Sequence, residues 1–205
     1  MQGIKVVKCS EASFDDAVVK SPPALISADW FGTQLVDPVR WWLFLSPTRL
    51  GFAGLVPGFS EFNCVVPAVE ASGKNSFVEG LWRSAALELF LKDDASNAYA
   101  EIHIAPTGKW WLGRFSQIRV QDSQWTPAGV TAIVRPLLYQ GSSYPLLILN
   151  RSELPVNCSF SQWSRGAVCA MWNDGNGLHY VSSFEHQEKS PDFHQPAAFL
   201  PFDYS

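Results

Sequence analysis

The chain has no run of basic residues and no arginine stripe, and only 17% of its residues are charged, for a formal net charge of −4. A nucleic-acid-binding surface needs a concentrated basic footprint, so that class is excluded. No segment approaches the roughly 18 consecutive apolar residues of a membrane span. The N-terminal MQGIKVVKCSEASFDD lacks the uninterrupted apolar stretch and cleavage site of a secretory signal. The expected location is the cytoplasm, with no membrane partner. Cysteines are few and scattered: Cys9, Cys64, Cys158 and Cys169 make no C-x-x-C pair, which favours buried thiols over disulfides. A phosphate loop, a dinucleotide fingerprint and a Ser-His-Asp elbow are also missing. With no internal repeat, low-complexity stretch or dividing linker, one domain spanning residues 1–205 is expected.

What the chain does have is aromatic and apolar residues in short, regularly punctuated runs. Hydrophobic residues make up 47%, including nine tryptophans and fourteen phenylalanines, a surplus that fits either an aromatic-rich core or a recognition surface. Strands are predicted over 4–7, 39–45, 49–56, 61–69, 145–150, 156–160, 167–172 and 178–184, with an alternating stretch at 129–136 and a loop at 71–75. The Asn173-Asp174-Gly175-Asn176-Gly177 segment reads as a hairpin turn. No long helix commits itself. Ten to twelve short strands with turns between them indicate an all-β fold, a single antiparallel β-sandwich of immunoglobulin or jelly-roll type.

The pattern is clearest from Ala86 to Phe115. ALELFLK alternates, with Leu87, Leu89 and Leu91 on one face and Glu88, Phe90 and Lys92 on the other. A polar turn, Asp93 to Asn97, leads into YAEIHIA, where Ile102 and Ile104 oppose Glu101 and His103 in direction. A loop over 93–98 pairs Lys92 with Tyr99, Phe90 with Glu101 and Glu88 with His103, which brings Glu88 and His103 within hydrogen-bonding reach. Pro106-Thr107-Gly108 then turns the chain into a third strand, Lys109 to Phe115, and Ser116 to Gln121 is expected to continue extended. One face of the three strands is expected to enter the core and the other to carry polar and aromatic groups at the surface.

Two blocks carry a family resemblance. Leu81-Trp82, LELFL and YAEIHIAPTGKWW in order resemble the family 9 carbohydrate-binding modules and their bacterial DOMON-like relatives, and SPDFHQPAAF at 190–199 resembles the closing motif of the same group. The resemblance implies a β-sandwich that clamps a sugar between two aromatic rings and holds its hydroxyls with polar side chains. Trp82 and Glu88 match the first clamping Trp and the sugar-binding Glu, and Phe199 falls near the second aromatic, as Phe rather than Trp. Where sugar-binding members carry Arg and Asn on the next strand, this chain has His103 and Ala105.

The leading expectation is therefore non-catalytic binding of a small ligand, a carbohydrate, by Trp82, Glu88, Glu101, His103, Arg114 and Phe199, with no cofactor. Flat aromatic faces suit the C–H surface of a sugar and planar polar groups suit its hydroxyls. The alternatives are a structural or protein-interaction domain without a small-molecule site, and a haem or redox module of DOMON type using Met171 with His179 or His194. Glu88 and Glu101 would also serve as the carboxylate pair of a glycosidase. The oxygen-rich loop at 173–176 suits Ca²⁺, although a hairpin turn explains the same residues. His179, His186, His194 and Asp192 show no metal-ligand spacing.

Overall fold

Trp41-Trp42-Leu43-Phe44-Leu45 is apolar at every position, so a strand built from it needs cover on both faces. A computed structural model, which describes residues 3–57, 77–83, 85–161, 163–186 and 189–204, supplies that cover. The strands are β1 (Ile4–Lys8), β2 (Ala24–Ala28), β3 (Gln34–Leu45), β4 (Arg49–Leu55), β5 (Ala86–Lys92), β6 (Tyr99–Ile104), β7 (Trp110–Gln117), β8 (Val120–Gln121), β9 (Ala132–Tyr139), β10 (Ser142–Asn150), β11 (Arg165–Asn173), β12 (Leu178–Ser182) and β13 (Leu200–Tyr204). A two-turn α-helix, α1 (Phe14–Lys20), lies between β1 and β2.

The strands form a ladder in the order β8-β7-β6-β5-β11-β13-β1-β3-β4-β10-β9, with β12 added beside β11 and β2 beside β3. Pairing is antiparallel except at β1, which runs parallel to β13 on one side and to β3 on the other. Residues from both arms share one core: Leu87, Leu89 and Leu91 of β5 belong to the same buried cluster as Leu43, Phe52 and Leu147. Gly54 of β4 lies against the Leu87 side chain. The arms face each other as the two layers of a β-sandwich. On the other side of β3, Trp42 and Phe44 pack with Phe14 of α1, Tyr139 and Tyr144 in a second cluster. The Trp42 indole donates to the Ser21 carbonyl at 2.9 Å, which ties down the end of α1.

Several expectations need correction. Residues 156–160 are not a strand; they run beside the β5–β6 turn, where Asp93 Oδ2 accepts from Asn157 N at 2.9 Å and Asp94 Oδ2 from Ser159 N at 2.8 Å. Residues 116–121 do not stay extended: Arg119 adopts φ 59° and the chain doubles back as β8. Cys169 is a buried free thiol, but Cys9 and Cys158 are only half-buried. The strand expected over 61–69, the loop over 71–75 and Cys64 lie outside the described residues. No helix among the described residues is long and apolar enough to cross a membrane.

Candidate functional site

The β5–β6 register follows the alternation: Lys92 faces Tyr99, Phe90 faces Glu101 and Glu88 faces His103. β7 continues it, with Trp111 opposite His103 and Gly113 opposite Glu101, and β11 flanks the other side with Cys169 opposite Glu88. Partners across a ladder project to the same side, so one face gathers Glu88, Glu101, His103, Trp111 and Cys169. Arg114 does not join them. It pairs with Ala100 and so points to the leucine side, where its guanidinium meets Asp122 at 2.6 Å.

The polar face is not solvated as alternation alone predicts. Glu88, Glu101 and His103 are 3%, 4% and 0% exposed: the Trp82 and Trp111 rings stand against His103, and the segment 191–199 brings His194 beside Glu101. His194 packs edge-on to Phe90 and Phe115, with ring centroids 5.9 and 5.3 Å away. The Tyr99 hydroxyl and His194 Nδ1 are 2.6 Å apart, and that hydroxyl also accepts from Arg119 N at 3.2 Å. Asp192 Oδ1 accepts from His194 N at 3.0 Å and meets the Arg119 guanidinium at 2.9 Å. Phe199, expected as a ligand-facing ring, is 4% exposed and packs between Phe90 and Phe184. It anchors the covering segment.

A cavity of about 440 Å³ remains open beside this segment, lined by Trp82, Glu88, Glu101, Trp111, Tyr180 and Phe193 among others. Trp82 projects from a short 3₁₀ helix, Leu81–Arg83, which the buried Leu81 anchors. It is half-buried and meets Trp111 nearly edge-on at 5.2 Å. Trp111 can lie flat along β7 because Gly113 has no side chain; a Cβ there would stand 2.6 Å from Trp111 Cζ2. Tyr180 reaches this face because it pairs with Met171 of β11, which also lines the cavity. The sequence reading did not identify Tyr180 or Phe193. The signal for Tyr180 was the parity of β12 relative to β11, which depends on the pairing; Phe193 lies in the SPDFHQPAAF block, whose path over the sheet has no local signature.

His103 Nε2 bonds to Glu101 Oε1 at 2.6 Å, on its own strand, and not to Glu88, whose nearer oxygen is 3.9 Å away. Burial pushes the Glu88 and Glu101 carboxyls up to about 7, opposed in part by His103 at Glu88 and by His194 and Arg119 at Glu101. Burial holds His103 below its ordinary value, with Glu88 opposing. The folded state thus keeps protons on the carboxyl pair that the unfolded chain releases from about pH 4.5. The pair's contribution to stability is present below about pH 4.5, falls as pH rises to about 7 and then levels off. The His103 contribution runs the other way and is lost as pH falls below about 6.5. Glu88→Gln is expected to gain on the parent protein between about pH 5 and about pH 8, by on the order of 2 kcal/mol, or roughly 4–8 °C in Tm. Thermal melts at the two pH values check this; a constant difference would contradict it.

Of the other sequence candidates, Met171, Asp192 and His194 line this same cavity; the rest lie apart. His179 stacks on Trp172 at 5.0 Å and pairs with Asp174 at 3.0 Å, facing away from Met171, so this pair of potential haem ligands is not assembled. The Asn173 and Asp174 side chains accept from Gly175 N and Asn176 N at 2.9 Å each, as turn-forming residues do. A larger groove of about 1170 Å³ runs along β2 past Trp30 and His186. There His186 is stacked on Trp30 at 3.4 Å, and the Asp29 carboxylate is used by Phe31 N and Thr33 N. The smaller cavity is the chemically richer one, because the Glu88 and Glu101 carboxyls that line it are buried beside His103.

No protein-family model matches the sequence, and no curated protein does. Solved structures do match in fold. A Bacteroides uniformis protein provisionally described as carbohydrate-binding superposes with a TM-score of 0.59 at 13% identity, covering 100% of both chains. A family 9 carbohydrate-binding module from Caldicellulosiruptor kristjanssonii, in complex with cellotriose, superposes with a TM-score of 0.55 at 12% identity, covering 99% of this chain and 93% of that one. The chain has the β-sandwich fold of these modules.

Proposed function

We propose that this protein binds a carbohydrate, without catalysis, in the cavity between Trp82 and Tyr180. The observation that carries the reading is the combination of aromatic walls with buried carboxyls in one small concavity. The half-exposed Trp82 offers a flat apolar surface, and Glu88 and Glu101 reach the same space. Its volume, about 440 Å³, falls in the range of small-ligand sites. A sugar ring stacks its C–H face on Trp82 and donates hydroxyl hydrogens to Glu88 or Glu101, while Arg119 at the cavity donates to ring or hydroxyl oxygens. The shared fold with a module crystallised with cellotriose supports a saccharide over other small polar ligands.

The test is isothermal titration with glucose and with cello-, xylo- and manno-oligosaccharides, in parallel on the parent protein and Trp82→Ala. Saturable one-site binding of one sugar class, lost in the variant, is expected. No binding across the panel would overturn the reading.

A further inference from the structure

We propose that Glu88, Glu101 and His103 form a binding site for a divalent first-row transition-metal ion, of which Zn²⁺ fits the donor set best. The inference does not depend on sugar binding. One ligand atom from each residue can be chosen so that all lie within 4.8 Å of one another. All three side chains are buried, at 4%, 5% and 0% exposed in that order. They come from adjacent strands whose register is fixed along its length: Glu88 on β5 faces His103 on β6, and Glu101 lies two residues before His103 on the same side. The donors are therefore held by the ladder and not by a loop.

A second, independent observation points to an occupant. Glu101 Oε2 is buried and has no hydrogen-bond partner among the described residues, the His194 ring nitrogen Nδ1 standing 3.9 Å away. Buried polar atoms are nearly always partnered, and two carboxyls packed side by side out of water are costly unless something offsets their charge. A divalent cation held at His103 Nε2 offsets both carboxylates and gives the unpartnered Glu101 carboxylate oxygen a partner. Metal–ligand bonds of about 2.0–2.2 Å to His and carboxylate require donors about 3.3–3.6 Å apart in a tetrahedral arrangement. His103 Nε2 now lies 2.6 Å from Glu101 Oε1 and 3.9 Å from Glu88 Oε2. Changes of about 1 Å or less bring these two distances to that spacing, and the Glu88–Glu101 donor pair starts no further apart than 4.8 Å.

The donors also select the ion. An imidazole nitrogen with carboxylate oxygens suits zinc and its neighbours, whereas Ca²⁺ and Mg²⁺ prefer all-oxygen sets. Three protein ligands leave a coordination position, and because Glu88 and Glu101 line the cavity, that position opens towards it. A water or a ligand oxygen would occupy it.

The experiment uses the full chain, stripped with EDTA, desalted and titrated with Co²⁺ by visible absorption, followed by displacement with Zn²⁺. One equivalent of Co²⁺ with d–d absorption, displaced by Zn²⁺, is expected. X-ray absorption of the Co²⁺ form should show nitrogen and oxygen neighbours including one imidazole, and no sulfur. Glu101→Gln and Glu88→Gln, each near-isosteric, should weaken binding at least tenfold, while His179→Ala, remote from the site, should not. Absence of saturable binding, sulfur in the coordination shell, or binding that survives both glutamine variants would overturn the proposal. The parent-protein spectra decide the matter even if a variant fails to fold.

Discussion

Gly54→Val should destabilise the protein by about 3 kcal/mol or more, the upper end of what overpacking costs. Nothing in the local sequence of β4 announces this, since glycine ordinarily weakens a strand. The reason is the distance between the layers. A Cβ on Gly54 would run into the Leu87 side chain of the facing sheet and stand 2.5 Å from the Arg40 carbonyl oxygen of the neighbouring strand. Leu87 is 1% exposed and one of three leucines that fill the space between the layers, so it has no free volume to retreat into. The carbonyl belongs to the β3–β4 ladder and cannot move without breaking it. Gly54→Ala should show the same effect at smaller size. Urea denaturation of both variants measures it; a Gly54→Val loss under about 0.5 kcal/mol would mean the layers are further apart than described.

Trp82→Ala should abolish measurable sugar binding, weakening it roughly 30-fold or more, about 2 kcal/mol or more, as removal of a central aromatic anchor does. It should leave the fold in place. Trp82 stands on a short turn, half-exposed, and its ring contacts are to Trp111 and His103 at one edge of the cavity. Truncation removes a wall of the cavity without opening the inter-sheet core. Equal loss of binding and of stability would place Trp82 in the scaffold and not in the site.

The β5–β6 hairpin was legible in the sequence because alternation of period two fixes both the strand and its register once one face must be buried. Glu88, Phe90, Glu101 and His103 fell on one face as the pattern requires. What alternation cannot show is what covers that face. The covering residue His194 meets Tyr99 from 95 positions away in the chain, and polar residues on a strand look the same beneath a covering segment as beneath solvent. Phe90, an apolar residue on the polar face, was the local hint. Arg114 was misplaced although its parity with Leu112 assigns it to the leucine side; the Trp110-Trp111 pair puts an aromatic on each face and blurs that parity. The parallel pairing of β1 with β13 and β3 joins the two ends of the sequence and has no local signature.

Ligand entry beside Trp82 is tested most directly by a ¹H–¹⁵N spectrum of the tryptophan indoles during titration with the sugar that binds best. The nine indole signals serve as internal probes of place. Those of Trp82 and Trp111 should move together with saturation, while that of Trp42, held by the Ser21 carbonyl, should stay fixed. Unmoved Trp82 and Trp111 signals under saturating sugar, or shifts confined to Trp30 in the groove along β2, would contradict the site assigned to this protein.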